Sequence, residues 1–264
     1  MVKFIAISAM LAYGISTGWL VWQLREQTQS KKSLRFAWLA AALHTLYIGL
    51  LCQQQNGFSF GVLSVASFTI LSVVLVLLLT ALTKPVEKLG VILFPFAAII
   101  LGLDVIIDPS PHLLPVHTGA MAGHILTSVL AFSLLMVAAL QAILLTIQNT
   151  QLKRHPPSRF VLLLPSLQTM ETLLFQMITA GVLLLTVSLG TGFLFLHDLF
   201  AQHLVHKTVL SLLAWAIFCG ILIGRQRYGW RGRVAVNWIL AGFVLLLLGY
   251  FGSKFVLELI LIKV

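Results

Sequence analysis

The sequence predicts an all-α integral membrane protein, a single bundle of eight transmembrane helices with both termini extracytoplasmic, on three observations. Of its 264 residues, 59% are hydrophobic and 9% charged, and the mean hydropathy is +1.03, far above that of a soluble domain. Eight apolar runs each approach or exceed the roughly 20 residues that a helix needs to cross the hydrocarbon core. Lysines and arginines collect in alternate connections between those runs.

The first run, about 2–24, has Lys3 before it and the cluster Arg25, Lys31, Lys32 and Arg35 after it. A cleaved signal peptide has its charge on the other side and a shorter apolar core, so this run reads as a retained helix. The second, 36–53, carries His44 nine residues beyond Arg35, about 13 Å into the membrane at 1.5 Å per residue. The third, 60–83, ends at Lys84, and the fourth, 90–107, holds Asp104 near its outer end. The fifth, 121–147, is entered through His117-Thr118-Gly119-Ala120-Met121-Ala122-Gly123-His124, where the two glycines let a flat group or another backbone come close. The sixth, 172–197, places Thr172, Gln176, Thr179 and Thr186 near one stripe, and the seventh, 207–224, does the same with Thr208, Ser211, Trp215 and Cys219. Both stripes are expected to avoid lipid, as helix-packing surface or as site lining. The eighth, 235–260, contains Lys254 and Glu258, an i,i+4 pair that neutralises itself.

Thirteen of the seventeen basic residues lie in four connections: the first cluster above, then Lys84 and Lys88, then Lys153, Arg154 and Arg159, then Arg225, Arg227, Arg231 and Arg233. The positive-inside rule puts all four in the cytoplasm and both termini outside. The net charge of +10 is thus a matter of membrane orientation, and the expected macromolecular surface is the lipid bilayer, not nucleic acid. The long inner connection from about Gln148 to Glu171 includes the apolar run Phe160 to Leu164, short enough to lie along the interface. The two outer connections carry His112 and His117, and His197 and His203. Cys52 and Cys219 form neither a CxxC pair nor a disulfide framework and read as buried small apolar residues. No GxGxxG, Walker, HExxH or GxSxG pattern occurs in a usable context, which removes the usual signatures of nucleotide-driven transport, hydrolysis and Rossmann redox chemistry.

Chemistry is therefore sought at the histidines set in or beside hydrocarbon, since an ionisable group there faces a bundle interior, a cavity or a cofactor. His44 requires a partner for its N–H, either a neighbouring helix or a bound metal. His124 and His206 both fall near the outer interface, where two neutral imidazoles suit the opposite faces of a planar iron macrocycle. Lys207 is placed to meet a propionate of such a group. His117 and His203, with Asp104, are candidates for an outer metal-collecting patch, against the plainer reading of the loop histidines as solvated.

The stretch from about Gly119 to Phe255 resembles the cytochrome c assembly superfamily of haem-handling membrane proteins. The resemblance rests on Gly123-His124-Ile125, on Met170-Glu171 through Gly192-Phe193, on Lys207-Thr208 through Trp215, and most of all on Gly229-Trp230-Arg231-Gly232-Arg233 and Tyr250-Phe251-Gly252. It implies haem as cofactor, His124 as the family's outer ligand, and cytochrome maturation or another membrane protein as partner. The family's tryptophan-rich haem loop is replaced by His197-Asp198-Leu199-Phe200-Ala201-Gln202-His203, the outer histidine after the last helix has no counterpart, and an apolar residue near Ile223 stands where a histidine is expected. These departures point to the HemX-type or YpjD-like inner-membrane branch and to a carrier, not an enzyme. The cofactor-contacting set is His124, His206, His44, Lys207 and Trp215. Two other classes remain: a transporter or accessory for divalent metal ions or haem, and a subunit that stabilises another membrane complex.

Overall fold

The computed structural model describes residues 2–26, 32–55, 61–107, 119–153, 164–195 and 205–252. Within them the chain is helical: α1 Val2–Glu26, α2 Lys32–Gln54, α3 Val62–Thr83, α4 Gly90–Ile106, α5 Gly119–Leu152, α6 Leu167–Phe195, α7 Val205–Tyr228 and α8 Gly232–Leu247. A 3₁₀ turn, Glu87–Leu89, leads into α4, and a π-helical turn, Leu248–Gly252, finishes α8. All eight helical segments are long and apolar enough to cross a membrane. Large apolar side chains such as Phe4, Ile106 and Leu194 are about three-quarters exposed, which suits a lipid-facing surface and no aqueous one.

The spans match the apolar runs, with helices extended by a few residues at several ends. The eighth differs: the α-helix stops at Leu247 and passes into the π turn, while Lys254 and Glu258 lie outside the described residues, as does the run 160–163.

The chain divides into two compact units, one formed by 1–115 with 154–165 and the other by 116–153 with 166–264. In the first, each helix packs on its sequence neighbour and α1 also packs on α4, closing a ring of four. Small residues set the spacing. Ala6, Ala9 and Ala12 of α1 and Ala37, Ala40 and Ala41 of α2 are buried, so the two backbones approach closely, as membrane helices do where small residues meet. Larger rings fill the remaining interior, with Tyr13 stacked on Phe94 at 6.1 Å.

The second unit repeats this ring order with α5 to α8, α5 also packing on α8. The α5–α6 pair is the most extensive contact in it. Gly181 is buried there, and a methyl group on it would lie 2.7 Å from Cδ2 of Leu135, so only hydrogen fits. Phe132 of α5 collects Phe243 at 5.6 Å, Tyr250 at 5.0 Å and Phe251 at 5.8 Å. The Tyr-Phe-Gly sequence thus ends the π turn, and its two aromatic rings pack on Phe132 within α5.

Candidate functional site

At the start of α5, His124 is partly buried against the last turns of α6. Its Nδ1 lies 3.0 Å from the Ser188 carbonyl oxygen and 3.2 Å from Thr191 Oγ1. A carbonyl only accepts, so Nδ1 carries the hydrogen in this arrangement. Thr191 donates its own hydrogen to the same carbonyl at 2.9 Å, leaving its lone pairs toward the imidazole. Nε2 takes part in no hydrogen bond with the described residues and, in the neutral ring, holds a free lone pair. That is how a ligating histidine is prepared: one nitrogen orients the ring, the other faces the metal.

Its surroundings hold the ring in place. Ser128 donates to the His124 carbonyl at 2.6 Å and meets Ser188 Oγ at 2.6 Å. Gly192 faces the imidazole so closely that a Cβ there would be 3.1 Å from Cε1. Gly123 is exposed and has open space where a side chain would be, so a flat ligand can reach the backbone beside His124.

Other candidates lie at the same end of this unit. The first turn of α7 contains His206, whose side chain lies outside the described part, and Lys207, which is partly buried. Gly249 of the π turn packs there, its missing Cβ 3.6 Å from the Lys207 carbonyl oxygen and 3.2 Å from Leu210 Cβ. Trp215 sits about two turns further along α7 and donates its indole N–H to Thr186 Oγ1 at 2.8 Å. The indole thereby ties α7 to α6.

Of the sixth-span stripe expected to avoid lipid, Thr172, Gln176, Thr179 and Thr186 are all exposed. The three threonines satisfy their hydroxyls on their own helix, donating to the carbonyls of Gln168, Phe175 and Val182 at 2.8–2.9 Å, so their exposure leaves no hydroxyl donor unmet. The seventh-span stripe is half-buried.

The first unit has its own polar centre. His44 is wholly buried, with Nε2 3.0 Å from Ser67 Oγ and Nδ1 3.4 Å from the Tyr13 hydroxyl. Asp104, 3% exposed, accepts from Ser64 at 3.2 Å and from Tyr47 at 3.3 Å. The sequence singled out His44 and Asp104 separately; the structure sets both against α3, His44 on Ser67 and Asp104 on Ser64, one turn apart. Both ring nitrogens of His44 have protein partners, in contrast with His124.

His117 and His203 lie outside the described residues. Among the described residues no three of His, Cys, Asp and Glu come together as a metal cage. Sequence reasoning missed Ser188, Thr191 and Gly192 around His124, and Tyr13, Tyr47, Ser64 and Ser67 around the first-unit pair. The signal was present in part, since Ser64 and Ser67 stand three apart on an otherwise apolar helix.

The profile of the family described as Cytochrome C assembly protein matches residues 29–261. The match therefore extends well to the N-terminal side of the stretch carrying the sequence resemblance. Inner membrane protein YpjD of Escherichia coli K12 is 32% identical over 260 residues, 97% of this chain and 98% of its own length. An uncharacterized 28.8 kDa protein encoded in the nifR3-like 5′ region of Azospirillum brasilense is 30% identical over 190 residues, 69% of each chain. No solved structure matches. With an eight-helix membrane architecture, a family profile covering most of the sequence and a relative alike along nearly its whole length, the chain belongs to the cytochrome c assembly protein family.

Proposed function

We propose that this protein is a haem-binding and haem-trafficking protein of the bacterial inner membrane, which holds haem at His124 near the extracytoplasmic face and passes it to a membrane partner. The observation that carries the reading is the hydrogen bond from His124 Nδ1–H to the Ser188 carbonyl at 3.0 Å, which leaves Nε2 free to bind a metal. Open space beside Gly123 suits a planar ligand, and family membership supplies the expectation of haem. When bound, haem iron offers axial coordination sites and a potential set by its ligands and surroundings.

The chain's own residues bind and orient. His124 would hold the haem iron through Nε2, while Ser188 and Thr191 fix its ring and Gly192 leaves room for it. His206, in the first turn of α7, is the residue that would supply a second imidazole to the iron. Lys207 beside it is a counter-charge for a propionate. Trp215, bonded to Thr186, holds α7 against α6 below the site. The connection from α6 to α7 has no tryptophan with which to present haem to an apocytochrome, in keeping with carriage without covalent attachment.

Protein purified from haem-replete cells is expected to carry a Soret band, and the spectrum after adding haem to bear bis-histidine features. His124→Ala should remove most of the bound pigment, and His206→Ala should shift the spectrum toward a single histidine ligand. A wild-type protein without absorbance, before and after haem addition, overturns the proposal.

A further inference from the structure

The turn between α7 and α8 concentrates positive charge that no described residue neutralises. Arg225, Arg227, Arg231 and Arg233 follow one another with no Asp or Glu between them, and none of the four forms an ion pair within the described part of the chain. Glu171, one turn before Phe175 on α6, makes no ion pair with the Arg225 that lies over the Phe175 ring. The connection from α3 to α4 differs, for Lys84 and Lys88 flank Glu87 there and Lys88 is half-buried.

The turn is also fixed in shape. Gly229 and Gly232 take φ of 65° and 58°, and the N–H groups of Gly229 and Trp230 close onto the carbonyls of Arg225 and Gly224. The Trp230 ring lies over Gly224, with the Tyr228 ring 6.4 Å from it. Arg227, Arg231 and Arg233 are left exposed, as is Tyr228. Just beyond the charges the surface becomes apolar. Ile223 stands one turn before Arg227 on α7, Val234 and Trp238 stand one turn apart on α8, and all three are about half exposed.

We propose that this turn binds an anionic phospholipid of the surrounding bilayer, with the headgroup phosphate held by Arg227, Arg231 and Arg233 and the acyl chains lying along Ile223, Val234 and Trp238. Guanidinium forks match phosphate oxygens two at a time, and these arginines have no ion pair to give up on binding. Two features select a lipid over a soluble anion. The charges stand at the ends of two spanning helices beside Tyr and Trp rings, a combination suited to headgroup depth. The apolar side chains next to them offer a surface to acyl chains, which free phosphate lacks. Basic pockets between spanning helices are a recurring headgroup site.

The test is fluorescence anisotropy of acyl-labelled phosphatidylglycerol added to the full chain in detergent, where membrane orientation plays no part. Wild type should bind the label saturably and release it to unlabelled phosphatidylglycerol, but neither to phosphatidylcholine nor to inorganic phosphate at the same concentration. Arg231→Gln with Arg233→Gln should weaken binding about 10- to 30-fold, each basic group near an anionic surface contributing a factor of about five. Arg231→Lys with Arg233→Lys keeps the charge and should stay within about threefold of wild type. Lys84→Gln with Lys88→Gln should bind like wild type.

Release by phosphatidylcholine as readily as by phosphatidylglycerol overturns the proposal, as does release by inorganic phosphate, which would mark a site for the free anion. Unchanged affinity in the folded Arg231→Gln, Arg233→Gln variant overturns it too, as does an equal loss in Lys84→Gln, Lys88→Gln. If the double arginine variant does not yield monodisperse protein, Arg227→Gln decides, with a loss of about fivefold expected and no loss overturning the assignment. His124→Ala should bind the lipid like wild type, so this site and the haem reading stand or fall separately.

Discussion

At the scale of single residues, two histidines in apolar surroundings are prepared for different work. His44 spends both nitrogens on Ser67 and Tyr13, whereas His124 spends Nδ1 on α6 and keeps Nε2. The ring of His124 is positioned by what is absent from Gly192 as much as by what Ser188 offers. A Cβ at 192 would sit 3.1 Å from Cε1, and a branched side chain there would turn the imidazole off the Ser188 carbonyl. Gly192→Val is therefore expected to weaken haem binding by about 10- to 100-fold, the usual effect of losing an orienting partner, as read by titrating the absorption spectrum. Unchanged affinity in a folded variant would show that the ring orientation does not matter. The importance of His124 was legible in the sequence because ionisable residues at the edge of apolar runs are rare. Its partners were not, because Ser188 contributes a backbone carbonyl, and which carbonyl faces a side chain 64 residues away depends on helix rotation.

At the scale of elements, turn chemistry explains the most recognisable sequence in the chain. In Gly229-Trp230-Arg231-Gly232-Arg233, Gly229 and Gly232 have φ of 65° and 58°, the left-handed region that side chains resist. Gly229 N–H closes onto the Arg225 carbonyl and Trp230 N–H onto that of Gly224 at 3.2 Å each, and the Trp230 ring folds over Gly224, which has no room for a side chain. Arg225 in turn lies over the Phe175 ring, 3.7 Å from its centroid. Gly229→Ala should cost about 1–2 kcal/mol from the left-handed backbone alone. Gly220→Ala, inside the same helix and facing open space, should be neutral or slightly stabilising. Thermal unfolding in detergent compares the two, and equal midpoints would remove the turn as a determinant of stability. Helix positions were readable from apolar run lengths, but the π turn at the end of α8 was not. Tyr250 and Phe251 fit an ordinary helix by composition, and their packing on Phe132 is a tertiary effect.

For the whole molecule, sequence and structure supply different halves of the description. Eight spans follow from hydropathy, whereas the grouping into α1–α4 and α5–α8, each a closed ring, depends on which faces meet. Apolar faces of membrane helices look alike in sequence, since lipid and protein neighbours are equally apolar. Orientation is the reverse case, for charge placement carries it and helix packing does not. Thirteen basic residues in four alternate connections predict that those connections are cytoplasmic, because basic flanks resist translocation. On that orientation the His124 end of the second unit, where α5 begins and α6 finishes, faces outward, the side on which the proposed haem carriage puts its ligand. Alkaline phosphatase fused after Val264 or within 108–118 should be active, and fused after Arg159 or Arg231 it should be inactive, with a cytoplasmic fluorescent reporter giving the opposite pattern. Replacing Arg225, Arg227, Arg231 and Arg233 together by glutamine should weaken the orientation of α7 and α8 more than removal of Lys84 and Lys88 weakens that of α3 and α4, since four charges are lost instead of two. Active phosphatase after Arg231 in the wild-type chain would place His124 on the cytoplasmic side and with it reverse the direction in which haem is passed.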